Sequence, residues 1–417
     1  IKLPNVGLRR ATIWLCILAV PCLAVLAGII AVRSMQPHSP QFETAHKKFN
    51  DGHYEEAFPL LLEAQNSGTL GDAEAKQVVL DLADLAVIFR EEGNTLGGIH
   101  WSGIEPCLAA GDAAVQPMAN HIDKFTICKA QLAQAQTSSG SRQEHVFNVF
   151  DMTDLNSQEI EYCKGRLAYI DSQHYQGGGK WPEAETSYLQ AIAHLQKADS
   201  PEYLAKTYLD FANYYSDGKH IEQFNRAHAD ACALLPQLMN RDGRLTARVL
   251  SFITACDLVP TKRFEDAHKA LQHVHEIYST TAGGSYDFAD LYMAESALAR
   301  AENNDCKKQL ELLTKALAYR CNPDVNNGPF ITADWLAIKA GVEAKLERYN
   351  EAIASLQQAI GHAQKIGKLD TRTKRTTRYL EQLCSVEIRA GRLDEAALAK
   401  KFLLQAMQQT PARSKRL

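Results

Sequence analysis

His268, His273 and His275 lie close together in the chain and carry the ring nitrogens that bind zinc or copper. On a helix only His268 and His275 share a face, and no carboxylate completes a ligand set. A solvated or capping role is therefore expected for them, and no metal site. Cys163, with Glu161 beside it and His174 further on, has the residue types of a thiol–imidazole nucleophile, but nothing in the spacing orients the pair. Gly177-Gly178-Gly179 could cradle a phosphate if it opened a helix. It lacks the lysine and Ser/Thr of a P-loop and reads as a loop before Trp181. Lys365, Lys368, Arg372, Lys374, Arg375 and Arg378 form a basic stretch relieved by Asp370. Such a run is a solvated face, or a docking site for an acidic partner or anionic head groups. No cofactor is implied and no small-molecule substrate is expected. The remote enzymatic alternative is an unrecognised site within residues 67–155, with Cys107 and His121 as the residues to test.

The elements that must position these groups are helical. Hydrophobic residues make up 46% of the 417 and charged residues 23%, the balance of a folded protein. Val, Ile and Thr never dominate a long window, so a large sheet is not expected. A formal net charge of −4 argues against a general nucleic-acid binder. Of the ten cysteines, Cys16 and Cys22 sit in an apolar run and read as filler. The other eight show no tight CxxC spacing, so most are expected to be small buried hydrophobes. Cys107 and Cys128 could meet across a hairpin. Cys306 and Cys321 read as one helix, which would hold them roughly 22 Å apart.

Residues 11–32 are uncharged and mostly apolar, about the length that crosses a bilayer as a helix. Trp14, Leu18, Leu23, Leu26 and Ile30 would face lipid. Lys2, Arg9 and Arg10 precede this run and Arg33 comes just after it, which places residues 1–10 in the cytoplasm and the bulk of the chain outside it. A cleavable signal peptide is the rival, with Val25 and Ala27 as a small-residue cleavage pattern. The expected organisation is a stub (1–10), an anchor (11–32), a linker (33–41), divergent helical hairpins (42–155, the first at 42–66), a repeat array (156–406) and a basic tail (407–417).

A pattern recurs along the chain. Gly52, Tyr54 and Ala57 are echoed by Gly179, Trp181 and Ala184, by Lys262, Phe264 and Ala267, and by Glu347, Tyr349 and Ala352. Gly391, Leu393 and Ala396 begin a final copy, while copies near Gly218 and Asn304 are degenerate. Small residues at Ala45, Ala212, Ala255, Ala297, Ala340 and Cys384 precede them, where two helices would approach closely. These residues resemble the tetratricopeptide repeat, with a longer unit than usual. The resemblance implies an all-α fold, a right-handed solenoid of helical hairpins that comes after the transmembrane helix.

It also implies a concave face that binds a protein or peptide partner. By this register the lining comprises Lys206 and Asn213, Phe252 and Cys256, Ala294 and Leu298, Ala337 and Lys345, and Arg378 and Arg389. One subclass of the family grips a terminal carboxylate through a Lys-x-x-x-Asn order. Here Asp210 stands where that asparagine is required, which speaks against chaperone-tail binding. The function expected is a membrane-anchored interaction scaffold, not an enzyme. The alternative is a cytosol-facing anchored receptor or a regulatory subunit of a membrane complex.

Overall fold

The computed structural model describes residues 39–92 apart from 52 and 68, and then 105–115, 122–137, 150–215, 220–280, 285–320, 328–365 and 369–409. All regular structure among them is helical. Helices α1 (Pro40–Asn50) and α2 (Tyr54–Asn66) form a hairpin beside a cluster of α3 (Asp72–Glu92), α4 (Glu105–Val115) and α5 (Lys124–Thr137). Paired helices come next: α6 (Ser157–Gly177) with α7 (Trp181–Lys197), and α8 (Pro201–Tyr214) with α9 (Ile221–Ala233). After the short α10 (Leu235–Leu238), α11 (Arg244–Ile253) runs into a π-helical turn at Thr254–Leu258 and pairs with α12 (Phe264–Thr280). The remaining pairs are α13 (Ser285–Asn303) with α14 (Cys306–Arg320), α15 (Gly328–Lys345) with α16 (Tyr349–Gln364), and α17 (Leu369–Arg389) with α18 (Leu393–Gln409).

The recurring sequence pattern has a local cause. Gly179, Lys262, Glu347 and Gly391 all have positive φ, and each stands two residues before the second helix of its hairpin. In each case the next amide donates five residues back: Lys180 to Tyr175, Arg263 to Leu258, Arg348 to Glu343 and Arg392 to Glu387, at 2.8–2.9 Å. This is the Schellman closure, which satisfies carbonyls left open at a helix end and needs a left-handed residue to do so. The alanine beyond the aromatic then starts the second helix: Ala184, Ala267, Ala352 and Ala396 donate to Lys180, Arg263, Arg348 and Arg392. All four alanines are buried at the crossing between paired helices. Turn, aromatic and alanine are thus one device repeated.

Close approach is also built into first helices. Gly165 in α6 lies so near Leu195 of α7 that an added Cβ would sit 2.7 Å from its Cγ. Ala45, Ala212 and Ala340 have no exposed surface, and Cys384 is half-buried. The start of α6 is fixed by a capping box, in which Asn156 accepts from Gln158 and Glu159 while the Glu159 side chain accepts from the Asn156 amide. Neighbouring pairs then lean on each other, α7 against α8, α14 against α15 and α16 against α17. Core clusters run across these junctions without a break at hairpin boundaries.

No helix among the described residues is long and apolar enough to cross a membrane. The expected single-pass localisation, with the N-terminus cytoplasmic and the repeats extracytoplasmic, is corrected accordingly. Each described helix that is long enough carries charged residues along it, so its apolar stripe is spent on neighbouring helices. Residues 1–10 and 11–32, with Trp14, Leu18, Leu23, Leu26 and Ile30, lie outside the described residues, as does 410–417 of the basic tail.

Candidate binding groove

First helices of successive pairs pack side by side, α5 on α6, α6 on α8 and α8 on α11. The N-terminal halves of α6, α8 and α11, with α5 along its length and α3 at one end, enclose a groove of about 710 Å³. An aromatic row forms its floor. Phe125 of α5 meets Tyr162 of α6 edge-on at 5.3 Å, and Tyr162 meets Tyr203 of α8 edge-on at 5.7 Å. Such geometry holds rings rigidly, since edge-to-face pairs satisfy the ring quadrupole.

Basic side chains alternate with the rings. The Lys129 ammonium lies 4.4 Å from the centre of Phe125, and burial, with Lys76 nearby, holds its pKa below the usual lysine value. Arg166 does not line the groove: it is 4% exposed and buried behind the row, with its guanidinium 3.6 Å from the centre of the Tyr203 ring. It donates to two neutral oxygens, Tyr162 Oη at 3.3 Å and Gln136 Oε1 at 2.7 Å, and its Nε has no partner. Neither Lys129 nor Arg166 forms an ion pair among the described residues.

The other cations of the groove are matched. Lys206 reaches Asp210 at 3.2 Å, and Asp210 also accepts from Tyr169 at 2.6 Å. Arg244 and Arg248 of α11 converge on Asp287 of α13, whose side chain is fully buried; the Arg248 contact is 3.3 Å. Arg241 pairs with Asp199 at 3.3 Å and Glu202 at 3.8 Å. Among the lining acids, the charge of Asp84 acts on Lys129, partly offsetting its burial, and Glu159 belongs to the α6 cap. Asp242 alone of the lining acids has no partner shown.

Of the concave-face residues expected from sequence, Lys206 lies in this groove. Lys345 lines a separate cleft of about 560 Å³ with Met293, Arg300 and Asn304. Asn213 and Phe252 are exposed away from both. Arg378 is exposed and 3.8 Å from Asp334, while Arg389 donates to the Ala344 carbonyl at 3.2 Å and lies over Tyr349. Ala294, Leu298 and Ala337 are buried in the core and line nothing. Cys256 lies in the π-helical turn, where one extra residue per turn departs from the ordinary helical period.

The other motifs resolve into structural roles. His268, His273 and His275 go separate ways, to Glu302 at 3.0 Å, the Arg241 carbonyl at 2.9 Å and Glu295 at 2.7 Å. No group of metal-capable side chains forms among the described residues. Cys163 is fully buried against the Cys128 thiol, and that contact, with burial, pushes its pKa well up, away from thiolate chemistry. Gly177–Gly179 closes α6 instead of opening a helix. In the basic stretch, Arg375 donates to Asp334 at 2.8 Å, so that carboxylate gathers two of the cations. The Cys107 side chain, Cys321 and His121 lie outside the described residues.

Lys129, Arg166, Phe125, Tyr162 and Tyr203 were missed by the sequence reading. A signal existed: Phe125 precedes Lys129, and Tyr162 precedes Arg166, by four residues, one helical turn on one face.

No family model and no curated protein matches the chain. Among solved structures it is similar to a Rap protein complexed with competence and sporulation factor, at 12% identity and a TM-score of 0.40, over 89% of this chain and 97% of that one. It is similar also to the apo form of RapI, at 12% identity and a TM-score of 0.37, over 88% and 96%. At these scores the likeness carries neither the architecture nor the function of this chain.

Proposed function

We propose that this protein is an interaction scaffold whose groove across α5, α6, α8 and α11 binds an extended protein or peptide segment. The observation that supports this most is the row of aromatic rings Phe125, Tyr162 and Tyr203, with Lys129 and Lys206 beside it, which α5, α6 and α8 contribute to one open groove. Rigid aromatics give contact area at little entropic cost, and hot spots of binding are rich in tyrosine and arginine. The paired helices, four of them closed by the same turn and stacked on their neighbours, support reading them as a tetratricopeptide-like right-handed array. The side chains that line this groove are of the kinds that serve recognition.

The test is a selection of random twelve-residue peptides displayed on the full chain, followed by hydrogen exchange with the enriched peptides bound. Protection should fall on α5, α6, α8 and α11. Replacing Gln158, an exposed lining residue, by tryptophan should reduce binding at least tenfold. No enrichment, or enrichment indifferent to Gln158→Trp, would overturn this reading.

A further inference from the structure

The cleft that holds Lys345 is lined by hydrogen-bond donors and by no acid. It lies among the closing turns of three consecutive pairs, with Lys262 just before α12, Arg300 near the end of α13 and Lys345 at the end of α15. Its other polar side chains are Ser296, Asn304 and Gln309, so every one can donate and none carries a negative charge. Gln309 is 2% exposed, and its side-chain amide makes no hydrogen bond among the described residues. A buried amide without a partner is unfavourable, and such groups in a folded protein call for a reason. Lys262, Arg300 and Lys345 form no ion pair among the described residues, because the carboxylates near them are turned elsewhere. Asp266 pairs with Arg263 at 2.7 Å, Glu302 with His268 at 3.0 Å, and Glu343 with Lys339. Asp305 accepts from the amides of Lys307 and Lys308, and the exposed Glu347 does not line the cleft. Arg300 and Lys345 stand in last turns, where the helix dipole favours a cation. That accounts for each of them singly, not for three cations around one cleft.

We infer that this cleft binds a small organic anion, a carboxylate or phosphate carried on an apolar body. The head would accept from Arg300, Lys345 and the Gln309 amide, and the body would cover the apolar walls supplied by Val259, Phe264, Met293 and Ile338. Arginine meets either head group through two parallel N–H bonds, which a lysine cannot do. Covering the walls excludes water from the head and strengthens those contacts. A volume of about 560 Å³ lies within the range of small-molecule sites, roughly 300–1,000 Å³, which are likewise apolar with a few placed polar groups. A small anion is favoured over a protein segment because walls and donors are gathered in one short cleft among turns, whereas the groove runs across several first helices. The two share no lining residue, so this site stands or falls independently of the groove reading.

The experiment is calorimetric titration of the full chain with decanoate, decyl phosphate, decanol and inorganic phosphate, the amphiphiles kept below their micelle-forming concentrations. Decanoate or decyl phosphate should bind one to one, and the tighter of the two names the head group. That anion should bind at least tenfold more tightly than decanol, which lacks the charge, and than inorganic phosphate, which lacks the apolar body. Arg300→Gln combined with Lys345→Gln, both exposed positions, should weaken the anion at least tenfold and leave decanol within twofold. Gln309→Leu should weaken the anion at least threefold without lowering the melting temperature, because the amide it removes has no partner in the fold. Lys308→Gln, which removes an exposed cation outside the cleft, should change nothing. The proposal is overturned by a lack of one-to-one binding, by decanol binding as tightly as the anions, or by unchanged anion affinity in the double variant. It is overturned also if a glutamate-rich twelve-residue peptide outcompetes decanoate through the same Arg300 and Lys345, which would give the cleft to a protein partner.

Discussion

At the scale of single residues, buried charges tie distant helices together. His46 of α1 lies 2.6 Å from Asp81 of α3 and stacks on Phe42. That hydrogen bond, opposed by burial and helped by the charge of Asp81, raises the His46 pKa above its ordinary 6.5. A histidine with a raised folded pKa stabilises the fold fully below its unfolded value, and the contribution fades as pH rises through the folded value. The melting temperature of wild type should therefore exceed that of His46→Gln by more at pH 6 than at pH 8.5. A difference independent of pH would show that the ion pair contributes nothing. The limits of sequence reading are clearest at this scale too. Arg166 looks like any amphipathic surface arginine, since its environment comes from Gln136 on α5 and Tyr203 on α8. No local pattern carries that information. The Tyr162–Arg166 pairing was visible, but not which way it faced.

At the scale of elements, the closing turns were the most legible part of the chain. Turn residue, large apolar residue (aromatic in all but the Leu393 copy) and alanine recur in order because the Schellman closure and the start of the second helix place them in order. Two copies, however, place Lys262 and Glu347 where glycine is the natural occupant, at φ of 60° and 59°. A left-handed conformation disfavours a side-chain-bearing residue by more than glycine loses in chain entropy, a net of about 0.5–1 kcal/mol. Lys262→Gly should thus raise the free energy of unfolding, read from denaturant melts, by that amount, and a fall would mean that the lysine side chain makes a compensating contact. The π-helical turn at Thr254–Leu258 was the least legible element. It inserts a residue into the period on which the assignment of Phe252 and Cys256 relied. Nothing in the residue types of that stretch announces it.

At the scale of the whole molecule, the packing is local in the chain: each pair contacts its partner helix and the neighbouring pair. Repeat stacks of this kind have stability that is roughly a sum of unit and interface contributions. Gly165→Val would press on Leu195, and Ala352→Trp would press on the α15–α16 crossing where Ala352 is fully buried. Each overpacking should be destabilising by about 1–3 kcal/mol. Because the two sites belong to separate core clusters, their effects should add to within about 0.5 kcal/mol in the double variant. A larger coupling in chemical denaturation would mean the stack responds as one body.

The three-residue closure between paired helices also has a consequence for how such a chain could be reshaped. Its hydrogen bonds are made among neighbours in sequence, so the angle within each pair is specified before any other pair arrives. Each of the four pairs so closed is then a pre-cut brick, and the mortar lies between bricks. Curvature and groove width could drift over generations by editing the joints alone, leaving the masonry units intact.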